Sequence, residues 1–158
     1  MITIKVFEII EQHLFVRYDM KVEKQKEATA MKKTGRETIL AVDDEELVLE
    51  LIVEMLERIG FTVFKATKGI EAVRIYRENK DEIDLVILDM KMPDIGVGEI
   101  FDAIKAMNSN AKILLSSGYD GINCQVKALL ESGCSGFIQK PYNLKDLSQK
   151  ISVILNEK

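Results

Sequence analysis

From Thr38 onward the chain alternates five times between a short apolar run and a stretch with helical periodicity. The runs are Thr38-Ile-Leu-Ala-Val42, Phe61-Thr-Val-Phe64, Leu85-Val-Ile-Leu88, Lys112-Ile-Leu-Leu-Ser116 and Gly136-Phe-Ile-Gln139. Such short runs suit strands buried in a parallel sheet. Between the first two, Leu47, Leu51 and Met55 repeat every four residues, with Val48, Ile52, Leu56 and Ile59 alongside. That predicts one broad helical face, closed by Gly60. Ile70, Val73, Ile75 and Tyr76 predict a second helix, and Ile100, Phe101, Ile104 and Met107 a third. Val126, Leu129 and Leu130 support a fourth, ending at Gly133. Leu144, Leu147, Ile151, Ile154 and Leu155 form the last amphipathic stretch. Five βα units with short links can bury these faces in one way: an α/β, doubly wound parallel sheet with helices on both sides.

The rest of the composition narrows the function. At 158 residues, 47% hydrophobic and 30% charged, the chain can build a core without staples. No apolar run approaches a membrane span, so no membrane association is expected. A net charge of −4 argues against direct nucleic-acid binding. Glu8 and Glu11 interrupt what would be the apolar stretch of a signal peptide. A cytoplasmic location with reduced thiols is therefore expected. Cys124 and Cys134 have neither metal-like spacing nor a disulfide framework, and are expected to pack. The single histidine, His13, precludes a His-based metal site or a Ser-His-Asp triad in the main body.

Residues 1–35 read as a separate leader or linker, partly helical, ahead of a domain at 36–158. Val6, Phe7, Ile10 and Leu14 have roughly helical spacing, whereas Lys21 to Lys33 is dominated by Lys, Glu, Gln and Ala. The leader carries seven basic and five acidic side chains, the remainder fifteen and twenty-one. With so few apolar residues to dock, the leader should be dispensable for folding. Deleting it should leave the melting temperature nearly unchanged; a large drop would show that Val6, Phe7, Ile10 and Leu14 dock on the body or form a dimer contact.

Open parallel sheets bind ligands at the carboxyl ends of their strands. Polar residues stand at four such ends: Asp43-Asp44, Asp89, Ser116-Ser117, and Lys140 followed by Pro141. If strands one, three, four and five are neighbours, these groups share one pocket. Three close carboxylates repel, and a hard dication among them would relieve this. Oxygen ligands without His or Cys suit Mg2+, with Mn2+ as a substitute. The ammonium and hydroxyl would meet phosphoryl oxygens, and a carboxylate so held is a nucleophile toward phosphorus. Singly, each residue has an ordinary explanation: acids at a helix start, a turn aspartate before Pro93, a turn serine, a solvated lysine. The joint pattern is what points to phosphoryl chemistry.

Ile39-Leu-Ala-Val-Asp-Asp-Glu45, Leu85-Val-Ile-Leu-Asp-Met-Lys-Met-Pro93, Leu114-Leu-Ser-Ser-Gly118 and Phe137-Ile-Gln-Lys-Pro141 resemble, in order and spacing, the motifs of response-regulator receiver domains. The resemblance covers about three quarters of the chain, Glu37 to Asn156. It implies the flavodoxin-like strand order 2-1-3-4-5 and a phosphorelay function without enzymatic turnover beyond self-phosphorylation and self-dephosphorylation. By that resemblance Asp89 is the phosphoacceptor, and Asp43, Asp44, Asp89 and the backbone carbonyl of Lys91 hold the metal. Ser117 is the switch hydroxyl, Phe137 the switch aromatic and Lys140 the phosphoryl-binding lysine, with a cis bond to Pro141. The implied partners are a sensor histidine kinase or a histidine phosphotransfer protein, and an unidentified downstream protein. Lys91 and Tyr119 occupy positions that control water's access to the phosphoryl group. Receivers commonly carry glycine where Val97 stands, between Gly96 and Gly98. Met90 and Met92 are expected to pack near the site. Ser116-Ser-Gly-Tyr119 and Lys140-Pro-Tyr-Asn-Leu144 are similar to receivers of hybrid kinases; a free-standing receiver is the other arrangement. The alternative activity is a magnesium-dependent phosphohydrolase with an aspartyl nucleophile.

Overall fold

The computed structural model describes residues 37–118 and 123–156. The leader at 1–35, expected to be partly helical, His13 and Tyr119 lie outside the described residues. Among the described residues five strands and five helices alternate: β1 (Thr38–Val42), α1 (Glu46–Ile59), β2 (Thr62–Ala66), α2 (Gly69–Asn79), β3 (Ile83–Asp89), α3 (Val97–Met107), β4 (Ile113–Ser117), α4 (Cys124–Glu131), β5 (Gly136–Gln139) and α5 (Leu144–Asn156). The sheet is wholly parallel in the order β2-β1-β3-β4-β5, as expected. Every residue of β1 and β4 is buried, because both faces of the sheet are covered.

Alternate side chains point to opposite faces. Leu40, Val42, Val86, Leu88, Ile113 and Leu115 join one cluster with residues of α2, α3 and α4. The intervening Ile39, Ala41, Leu85, Ile87 and Leu114 are equally buried, and belong to the face covered by α1 and α5. A Cβ placed at Gly136 would lie 3.1 Å from Lys150 Cε and 3.4 Å from Ile154 Cδ1. The missing side chain thus lets α5 settle directly on β5.

The buried stripe of α1 differs from the expected one. Leu49, Ile52, Met55 and Leu56 are buried, while Leu47 is 62% exposed. Eight of the ten residues from Leu47 to Leu56 are apolar, so periodicity leaves the centre of the face open and docking on the sheet decides it. In α2, similarly, Ala72 and Tyr76 are buried and Ile70 is exposed. β2 starts later than expected because Phe61 is used to close α1. The amides of Gly60 and Phe61 donate to Glu57 and Leu56 carbonyls, with Gly60 at φ 105°. As an edge strand β2 is only partly buried, and its exposed Lys65 pairs with Glu50 of α1. Cys134 is half-buried against the core as expected, but Cys124 is exposed at the first residue of α4 and does not pack.

Candidate functional site

Sheet register assembles the site. β1 and β3 pair Val42 with Leu88, so the next residues, Asp43 and Asp89, emerge side by side at the strand ends. β4 lies beyond β3 with Ser116 opposite Asp89, and β5 lies beyond β4 with Gln139 opposite Ser117. Two main-chain bonds tie the rim together: Met90 N to Ser116 O at 2.9 Å and Lys140 N to Ser117 O at 2.7 Å. Lys140, the next residue of the β5 segment, thereby turns its side chain across to the other strands. The Lys140–Pro141 bond is cis, as expected.

Asp43 and Asp89 are buried and Asp44 is exposed. Lys140 Nζ bridges the two buried acids, 2.5 Å from Asp43 Oδ2 and 2.7 Å from Asp89 Oδ1. Their other oxygens accept main-chain amides: Glu45 N to Asp43 Oδ1 at 3.0 Å, and Lys91 N to Asp89 Oδ2 at 2.8 Å. Each buried carboxylate therefore has one ionic and one neutral donor, which removes the penalty of an unpaired buried charge.

The electrostatics remain strained in the direction that attracts a cation. Burial is the largest influence on Asp43 and pushes its carboxyl above the ordinary range; Lys140 opposes this, and the negative charge of Asp89 adds to it. Asp44 is raised for the same reasons, burial first and Asp89 second. Burial acts to lower Lys140, but the Asp43 and Asp89 charges outweigh it and hold the ammonium protonated above the usual lysine range.

Each of the three aspartates offers one carboxylate oxygen, and these three oxygens lie within 4.8 Å of one another. An oxygen-only donor set of this kind fits a hard dication and not a thiophilic metal. One ammonium among three acids leaves net negative charge, so the fit is electrostatic as well as geometric.

The remaining expected residues sit nearby with different exposures. Ser117 is buried at the end of β4, one residue past the Asp89 row. Phe137 is half-buried and packs against the cluster under α2, α3 and α4, as do Met90 and Met92. Val97 is buried as the first residue of α3, with Gly96 as the N-cap. The valine is accommodated because helical backbone needs no glycine there.

Two features escaped sequence reasoning. The Tyr142 hydroxyl lies 3.5 Å from Ser116 Oγ, and burial pushes its phenol up to about 12. No spacing rule joins residue 142 to β4; the path of the chain after Pro141 does. The second is Asp94, whose carboxylate accepts the amides of Gly69 and Ile70 at 2.9 Å each. A signal for it existed: Lys68 precedes α2 where an acceptor side chain would normally cap the helix.

Comparisons with known proteins agree with this geometry. The family model for the response regulator receiver domain matches residues 39–152. The sensor kinase CckA of Brucella abortus is 28% identical over 157 residues, 98% of this chain and 16% of its own length. The first curated relatives are longer proteins, of which the chain spans between 16% and half. A receiver domain structure from Clostridium thermocellum is 33% identical with a TM-score of 0.71, covering 76% of this chain and 94% of that one. CheY in a CheX-CheY-BeF3-Mg2+ complex from Borrelia burgdorferi is similar at 27% identity and TM-score 0.72, covering 77% of this chain and 90% of that one. A matched model spanning most of the chain, the same sheet order and an acid pocket at the strand ends together place the chain in the response regulator receiver family, the phosphoacceptor modules of two-component signalling.

Proposed function

We propose that Asp89 takes a phosphoryl group from a partner phosphohistidine in a magnesium-dependent reaction, and that the acylphosphate switches the partners this chain binds. The observation that carries this is Lys140 bridging Asp43 and Asp89 beside a third carboxylate. Asp43, Asp44, Asp89 and the Lys91 carbonyl are the residues that would hold the ion. Mg2+, when bound, supplies neutralisation of the charge on the transferring oxygens. An Asp89 oxygen bonds to phosphorus as the donor's P–N bond breaks, and the electron pair stays on the imidazole nitrogen, which takes a proton from solvent. Lys140, already on Asp89, then contacts the phosphoryl oxygens. Ser117 moves to the same group and Phe137 follows into the space it leaves. The surface of α4, β5 and α5 is the part whose partner affinity changes.

The donor is a sensor histidine kinase or a histidine phosphotransfer protein. The similarity to CckA extends through the stretch ahead of Thr38, which supports an origin as a receiver of a hybrid kinase. Among the described residues no helix is long and apolar enough to cross a membrane, in keeping with a cytoplasmic site of action. Incubation with acetyl phosphate should give an adduct of ~80 Da, one phosphoryl group, only with Mg2+. Continuous release of phosphate without a lasting adduct would instead support the phosphohydrolase. Lys91 stands where such enzymes need a second acid, which counts against turnover.

The adduct should be long-lived. Neither Lys91 nor Tyr119 carries a carboxylate or amide suited to positioning an attacking water, and both are bulky enough to shield phosphorus. Lys91→Asn combined with Tyr119→Glu should shorten the half-life of the phosphorylated protein; an unchanged decay would dismiss the shielding argument.

A further inference from the structure

Helix α2 begins without a cap of its own. The side chain of Lys68, its N-cap residue, accepts no hydrogen bond, and the first amides of a helix need acceptors. Asp94 supplies them from the β3–α3 loop, Oδ1 to Gly69 N and Oδ2 to Ile70 N, both at 2.9 Å. A carboxylate bound at both oxygens is fixed in orientation as well as position. The backbone approaches closely here. A Cβ at Gly69 would lie 2.7 Å from Ile95 Cγ1 and 2.6 Å from Ile100 Cδ1, so glycine is what lets the loop and α3 press onto the start of α2. Burial acts to raise the Asp94 carboxyl, but the backbone donors around it, those of Ile70 and Gly69 foremost, together outweigh burial and hold it below the ordinary range.

The same loop carries Lys91. At one end the Lys91 amide is bound to Asp89 Oδ2 at 2.8 Å; at the other, Gly96 N donates to Glu99 Oε2 at 2.9 Å and closes the loop onto α3. Asp94 adds a tie to a different element, three residues from Lys91.

We propose that Asp94 is a positioning residue for the phosphoacceptor loop: its clamp on α2 sets the path of residues 90–93 and so preorganises the Lys91 carbonyl and the Asp89 carboxylate for the cation. This rests on the reading of Asp89 and Lys91 given above. A ligand-bearing loop that loses an outer support typically loses about tenfold or more in metal affinity. The alternative is that Asp94 merely stabilises α2, and Lys68→Asp separates the two, because it gives α2 its own acceptor without restoring the tether.

The test compares the parent, Asp94→Ala and the double variant Lys68→Asp/Asp94→Ala by metal-free hydrogen exchange and by Mg2+ titration calorimetry. Asp94→Ala should speed exchange at Gly69, Ile70 and residues 90–92, and should weaken Mg2+ binding about tenfold. In the double variant exchange at Ile70 should slow again, while residues 90–92 stay fast and Mg2+ binding stays weak. Parent-like exchange at 90–92 and parent-like affinity in Asp94→Ala would overturn the proposal, as would recovery of both in the double variant. A parent that binds no Mg2+ would overturn the metal reading itself, and exchange at residues 90–92 would still decide the tether.

Discussion

Asp89→Ala and Asp89→Asn should each abolish the ~80 Da adduct formed with acetyl phosphate and Mg2+. The expected loss is complete because the neighbouring acids are not placed to substitute. On the proposed reading Asp43 and Asp44 are committed to the cation, which leaves Asp89 as the carboxylate that meets the phosphorus. The two replacements differ in what they do to the fold. Asparagine keeps an acceptor oxygen for the Lys91 amide or for Lys140, not for both, and removes one of three like charges. Lys140 then faces a single buried carboxylate, an even pairing. Asp89→Asn should therefore melt, without metal, at or above the parent temperature, while losing much of the stabilisation that Mg2+ gives the parent. Mass spectrometry of the intact protein and thermal melts with and without Mg2+ read the two effects separately. An undiminished adduct in either variant would remove Asp89 from the role of phosphoacceptor.

Lys140→Met should produce the largest loss of stability at the site. The lysine side chain is 19% exposed and bonds two acids that are themselves buried. Removing it leaves two like charges without their counter-charge, and breaking such a buried pair costs about 3–5 kcal/mol. For a domain of this size that is a fall in melting temperature on the order of 10 °C. Mg2+ should recover more stability in the variant than in the parent, since it replaces the missing positive charge; at a hundred times Kd it contributes about 2.7 kcal/mol.

The defect should also narrow in acid. Asp43 is held above its ordinary value near 3.8, by burial first, and losing Lys140 raises it further. The folded variant then binds a proton more tightly than the unfolded chain. Its stability rises as pH falls from the raised value toward 3.8, and the cost is full above the raised value. A Lys140→Met protein that melts within a degree or two of the parent at neutral pH would show that the bridge does not hold the pocket together.

The alternation of apolar runs and helical periods determined the fold class, because a parallel sheet covered on both faces is the arrangement that buries five such units. β1 and β5 were legible to the residue. Asp43, Asp89 and Lys140 were legible as candidate site residues because each follows an apolar run directly, and Asp44 because it follows Asp43; strand ends are where such a sheet places its chemistry. What periodicity could not decide was rotation and partner choice. In α1 eight of the ten residues from Leu47 to Leu56 are apolar, so the burial of Leu49 and the exposure of Leu47 were settled by how the helix lies on the sheet. In the pocket, the sequence offered Lys140 as a ligand for phosphate; the structure shows it first as the bridge between two acids that are 46 residues apart in the chain. The clamp of Asp94 on Gly69 and Ile70 spans 25 and 24 residues. A hydrogen bond between loops far apart in sequence leaves no period in either. It forms because the packing of α2 against α3 brings an uncapped helix start to within reach of a carboxylate, and only the tertiary structure sets that distance.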